Sequence, residues 1–174
     1  MDELIDISLK KVPDFVFEGS FFILCIIVAA VFLFARNGAT LRKLVLGSML
    51  VEYIFLVLST TILFREVRSE AHYMMQPFWS VMAYLGGKKV YLDEILLNII
   101  LFIPIGLLVS SFNRMQNWWK VLLFGCGLSA CIELSQLIFN RGLCETDDVI
   151  SNSIGCMIGY GIYKGLASLK TRFV

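Results

Sequence analysis

The run Trp118-Trp119-Lys120-Val121-Leu122-Leu123-Phe124-Gly125-Cys126-Gly127-Leu128-Ser129-Ala130-Cys131-Ile132-Glu133-Leu134-Ser135-Gln136-Leu137-Ile138-Phe139 decides the fold. It holds one base at its start and one acid, Glu133, in its second half. As a helix it is about 33 Å long at ~1.5 Å per residue, enough for a hydrocarbon layer of about 30 Å. Lipid offers the backbone no hydrogen bonds, so such a run closes its own as a helix. Its apolar residues do not alternate, which argues against a barrel strand.

Reading outward, the same criterion picks out Phe15–Ala35, Leu44–Phe64, Ile95–Phe112 and Val149–Leu169. The prediction is an all-α, multi-pass transmembrane helical bundle of about five spans, forming a single domain over residues 1–174. Composition agrees. The chain is 58% hydrophobic and only 17% charged, against about 25% charged in soluble domains. That excludes an ordinary soluble domain, a disordered chain and a basic nucleic-acid binder. The start of the chain is too acidic for a signal peptide, with Asp2, Glu3, Asp6 and Asp14 around Lys10 and Lys11, so the first span reads as a retained helix. Residues 1–14 read as a short amphipathic surface helix.

The longest connection, Arg65–Glu94, contains Met74-Met75-Gln76-Pro77-Phe78-Trp79, Tyr84 and the turn signal Gly86-Gly87. It is too apolar for a free loop. An amphipathic or partly inserted segment is expected, with Trp79 and Tyr84 at the lipid headgroups; a loop folded over the helix ends is the alternative. Five spans place this connection, the N-terminus and residues 140–148 on one side. That side carries 12 of the 14 acids, while the short loops opposite concentrate bases beside helix ends. The positive-inside rule then puts the N-terminus outside and the C-terminus in the cytoplasm. The five cysteines read as small hydrophobes, Cys144 being the one outside an apolar run, and neither a metal site nor a cofactor is expected.

Ionisable groups within spans are costly and mark candidate sites. Glu52 shares a helix face with Ser48 and Ser59. Glu133 shares one with Ser129, Gln136 and Asn140. Asn98 enters the third span, which Pro104 interrupts. Asp148 and Asn152 stack four residues apart at the start of the last span, with Asp148 a candidate N-cap. Gly155-x-x-x-Gly159 offers a face for close helix packing, and Gly161-x-x-x-Gly165 a second. Hydrogen-bonding glue between helices is the plain alternative for all of these polar residues.

Two blocks carry a family likeness. Ile132-Glu133-Leu134-Ser135-Gln136-Leu137-Ile138-Phe139 with Arg141, Asp148-Val149-Ile150-Ser151-Asn152 and Gly155 forms one. Pro77-Phe78 with Leu97-Asn98-Ile99-Ile100-Leu101-Phe102-Ile103-Pro104-Ile105-Gly106-Leu107-Leu108 forms the other. Together they resemble the signature of VanZ-like membrane proteins. The resemblance implies a bacterial multi-pass protein of the cell membrane, associated with glycopeptide-resistance clusters and, for the founding member, with resistance to teicoplanin. It also implies a four-helix core, here about residues 44–169, with residues 1–35 as an N-terminal extension.

The residues and the resemblance together suggest an outward-facing polar pocket lined by Arg65, Asn98, Glu133, Gln136, Arg141, Asp147, Asp148 and Asn152. Arg141 would hold a phosphate or carboxylate with its two-pronged donor. Membrane lipids are expected partners. The expected guest is a lipoglycopeptide antibiotic or a lipid-linked cell-wall intermediate, bound without catalysis. An intramembrane enzyme using Glu133 or Asp148 as base and Arg141 as stabiliser is the second reading. A small transporter, acting as a homo-oligomer, is the third.

Overall fold

The computed structural model describes residues 38–70, 72–112 and 115–172, together with Pro13, Val16, residues 18–20, Cys25 and Ile26. The surface helix expected over residues 1–14 lies outside the described residues, apart from Pro13. Of the first expected span, Val16, residues 18–20, Cys25 and Ile26 are described, and all are helical.

The chain divides into two compact units that meet at Phe64–Arg65. In the first, α1 (Gly38–Leu58) runs directly into a π-helical turn, Ser59–Leu63. Its hydroxyls fold back on their own helix: Ser48 donates to the Leu44 carbonyl, Ser59 to Phe55 and Thr61 to Val57. A small hydroxyl residue thus sits in an apolar helix without an unpaired donor. Glu52 differs, because its buried Oε1 has no hydrogen-bond partner among the described residues.

The second unit contains β1 (His72–Met74), α2 (Trp79–Leu85), α3 (Val90–Ser110), α4 (Trp118–Ile138), β2 (Leu143–Glu145) and α5 (Thr146–Arg172). Thus a short ribbon interrupts the expected all-helical pattern. β1 and β2 pair in parallel, with Tyr73 opposite Cys144 and Met74 opposite Glu145. The two connections assigned to one side therefore do meet, at one end of the α3–α4–α5 bundle.

α5 packs most extensively on α3 and next on α4. Glycine permits the close approach. A Cβ at Gly155 would overlap the Ile99 carbonyl, one at Gly159 the Ile103 carbonyl, and one at Gly106 the Cys156 backbone. Cys156 also fills the space over Gly125 of α4, where a Cβ would lie 2.6 Å from its sulfur. The packing role expected of Gly155 and Gly159 is therefore met. Gly161 and Gly165 have nothing within 4 Å, so the second expected packing face is not used in the described chain. Phe102, Ile105, Val121 and Cys156 are fully buried, and they centre the core between these three helices.

Among the described residues, three helices are long and apolar enough to cross a membrane: Thr40–Leu63, Val90–Ser110 and Trp118–Ile138. α5 is long enough at 27 residues. Its glycines, Ser151, Asn152 and Ser153 lower its hydropathy, because its buried face is built for contact with α3 and α4 rather than with lipid.

Candidate functional site

The buried residues of α4 form one stripe, Val121, Gly125, Ser129, Ile132, Glu133 and Gln136, three of them polar. Steps of three and four residues keep them on the face turned to α5. The corresponding stripe of α5 carries Asp148, half-buried, and Asn152, buried. Asn152 donates from Nδ2 to the Ser129 hydroxyl at 2.7 Å, which joins the two helices.

Glu133 pairs with a backbone group of the strand that follows its helix. Its Oε2 accepts the backbone N–H of Glu145 at 2.8 Å. The acid on α4 thereby fixes the strand β2 that leads into α5. The positive charge nearest this acid cluster is Arg65, whose field reaches Glu94, Glu133, Glu145 and Asp148. Arg65 lies against Gly142, where an added Cβ would come within 2.9 Å of its guanidinium carbon. Gly142 also has φ +109°, a conformation that glycine adopts freely. The turn after α4 is thus shaped to leave room for Arg65. The preceding Asn140 has φ +54° and accepts the Arg68 N–H at 2.8 Å, while the Arg141 N–H closes on the Gln136 carbonyl.

Asp147 has a definite structural role. It is buried at the start of α5, and its carboxylate accepts the backbone N–H of Phe78 and that of Ser80, the latter at 2.8 Å. It therefore caps α2, 67 residues earlier in sequence, and is not free for a guest. Phe78, at φ +62°, turns the chain so that both amides point at this one carboxylate. Asp148, the candidate cap of the last helix, lies inside its first turn, because α5 already begins at Thr146.

Glu145 accepts the indole N–H of Trp79 at 3.1 Å, and Trp79 meets Tyr91 edge-on at 4.7 Å. Trp79 therefore turns its indole toward the protein. Burial pushes the Glu145 carboxyl up to about 6, opposed mainly by that hydrogen bond. Asp148, just ahead of the apolar part of α5, is pushed up to about 8 by burial and then by the charges of Glu133 and Glu145. Cys144 is buried in β2, its thiol pushed up by burial, and is not the accessible residue that sequence suggested.

The structure thus brings together Arg65, Glu133, Asp148 and Asn152, with Gln136 buried on the same face of α4. Asn98 is half-buried one turn after Glu94 on α3, and Arg141 is half-buried in the turn after α4. Two members of the cluster were missed. Glu94 stands four residues before Asn98, a spacing that places both on one helix face. Glu145 was visible only as part of a polar loop. Among the described residues, no group of three or more His, Cys, Asp or Glu is arranged to hold a metal ion.

Long apolar helices around a buried acidic end define the class: they fit a helical membrane protein. A family model described as VanZ/LLP1 matches residues 20–169, and the chain belongs to that family. It is similar to Protein VanZ of Enterococcus faecium, with 34% identity over 70 residues, covering 40% of this chain and 44% of that protein. The chain thus matches less than half the length of that curated relative. No solved structure matches it.

Proposed function

We propose that this VanZ-like protein is a binding protein of the bacterial cell membrane that reduces the action of lipoglycopeptide antibiotics of the teicoplanin class. It does so by engaging an amphipathic guest at the polar end of the α3–α4–α5 bundle. The guest is the lipoglycopeptide itself or a lipid-linked cell-wall intermediate. The observation that carries this reading is the meeting of β1 and β2, which gathers Glu94, Glu133, Glu145, Asp148 and Arg65 beside exposed apolar side chains. A guest with a polar head and an acyl tail matches that combination. The proposed topology is N-terminus outside and C-terminus cytoplasmic, which puts this end at the outer leaflet where such drugs act.

Arg65 replaces Arg141 as the first candidate for the guest's anionic group, because it faces the cluster. Arginine's planar fork suits a phosphate or carboxylate. The test is susceptibility to teicoplanin and vancomycin in a host expressing the wild type, Arg65→Lys, Arg141→Lys or Glu133→Gln, with membrane abundance measured alongside. Selective loss of teicoplanin protection in Arg65→Lys at full abundance supports the reading. Unchanged protection in all three variants would sink it.

A second reading has one observation in its favour. Burial and the nearby Glu133 push the Asp148 carboxyl up to about 8, giving the kind of acid and base pair that hydrolytic chemistry uses. Turnover of a lipid-linked substrate by purified protein, abolished in Asp148→Asn, would move the function to an enzyme.

A further inference from the structure

α2 is built inside out. Its protein-facing side holds Ser80, buried, with Trp79 and Ala83 half-buried. Its outer side holds Val81, Met82 and Leu85, with Leu85 77% exposed, and no charged residue lies on the helix. Phe78 and Met75 extend this exposed apolar surface on the N-terminal side, and Tyr73 of β1 continues it. A helix facing water presents its polar side outward. Apolar patches of this kind on an extramembrane element mark a contact with lipid or protein.

Geometry sets the depth of the patch. α3 has 21 residues, about 31 Å at ~1.5 Å per residue, so it just crosses a hydrocarbon layer of about 30 Å. Val90 therefore lies near the boundary. Only Gly86–Lys89 separates it from α2, a reach of roughly 14 Å at most. The turn is tighter still, with the Gly87 N–H on the Tyr84 carbonyl and the Lys88 N–H on Ala83. Asp147 and Glu145 hold the other end of α2 to the same end of the bundle. The helix is thus fixed at headgroup level with its apolar side outward. Lys88 and Lys89, both exposed, follow directly and bring two positive charges to that level.

We infer that α2 with Lys88 and Lys89 is an interfacial lipid-binding element: Phe78, Val81, Met82 and Leu85 enter the acyl boundary, and the two lysines hold the phosphates of anionic phospholipid. Apolar burial joined to charge attraction is the combination that holds amphipathic helices in an interface. The inference does not depend on what the acidic cluster binds.

The test uses the full chain in vesicles containing equal phosphatidylcholine and phosphatidylglycerol. A photo-reactive phenylalanine analogue is placed at Met82, at Leu85 or, as a water-facing control, at the exposed Ser69. The expected result is phospholipid adducts at Met82 and Leu85 and none at Ser69. Protein–protein adducts at Met82 instead, from a second copy, would overturn the lipid assignment, as would no adduct in folded protein. Phosphatidylglycerol retained on purification should fall several-fold in the double variant Lys88→Gln, Lys89→Gln and return with Lys88→Arg, Lys89→Arg. Equal retention in the glutamine variant would overturn the role of the lysines, with helicity by circular dichroism showing that the variant is folded.

Discussion

Glu133 is the residue whose chemistry and structure separate most cleanly. Its Oε2 holds the Glu145 N–H, a task that an amide oxygen performs as well. Glu133→Gln should therefore keep membrane abundance near wild type, whereas Glu133→Leu should lower it, since losing the acceptor strands a backbone N–H at a cost of about 1–3 kcal/mol. The measurement is abundance and detergent melting temperature. Retained abundance with lost protection would make the charge functional. Asp147 offers the opposite expectation. Asp147→Ala removes the acceptor for two amides of α2, at a similar cost of about 1–3 kcal/mol for each one left unpaired. Limited proteolysis of membranes should then cut within residues 75–89, which wild type resists. Equal resistance would show that the cap is dispensable.

The sequence made some of these residues legible and hid others. Ser129, Glu133 and Gln136 share a buried stripe that helical spacing alone predicts. The surroundings of Glu133 did not follow from its own helix face. The structure instead brings in Arg65 from the other connection and the backbone of Glu145 from β2. A bond to a backbone N–H leaves no mark on side-chain chemistry. The indole of Trp79 likewise donates to Glu145, a pairing between distant residues that residue type alone does not show.

Among the elements, α3 and α4 were legible because the apolar runs Ile95–Phe112 and Trp118–Phe139 have few other readings. The ribbon was not. His72-Tyr73-Met74 and Leu143-Cys144-Glu145 are too short to show a period of two, and their pairing is set by α3 and α4 between them. The glycine faces of α5 give a clean contrast. Gly155→Leu should abolish folded protein in the membrane, since its side chain would overlap the backbone of α3, while Gly161→Leu should leave abundance unchanged. Equal loss in both would mean that the α3–α5 contact is not what holds α5. The start of α5 and β2 also carries a pH dependence. Glu145 rises from an ordinary 4.5 to about 6 and Asp148 from 3.8 to about 8. The folded state therefore holds its protons more tightly than the unfolded state, and stability falls as pH rises through each window. Melting in detergent should drop between pH 6 and 8, and Asp148→Asn should flatten that drop. A melting temperature that rises over this interval would contradict the assignment.

For the whole molecule, the proposed topology has a direct check. Cys144 is buried and unsuited to it, so the exposed Ser69, changed to Cys, is the better reporter. A membrane-impermeant thiol reagent should label it in intact cells, with a cysteine-free parent as the blank. Labelling only after lysis would invert the protein and move the acidic end to the cytoplasm.

The parallel pairing of β1 with β2 has a consequence for biosynthesis. His72 emerges from the ribosome long before Leu143, with α2, α3 and α4 all made between them. Until residues 143–147 arrive, Glu133 has no strand to hold, α2 has no cap and Trp79 has no acceptor. The acidic end therefore assembles late and in one step, and a chain stalled before residue 143 would display α2 unclasped to the quality-control proteases of the membrane.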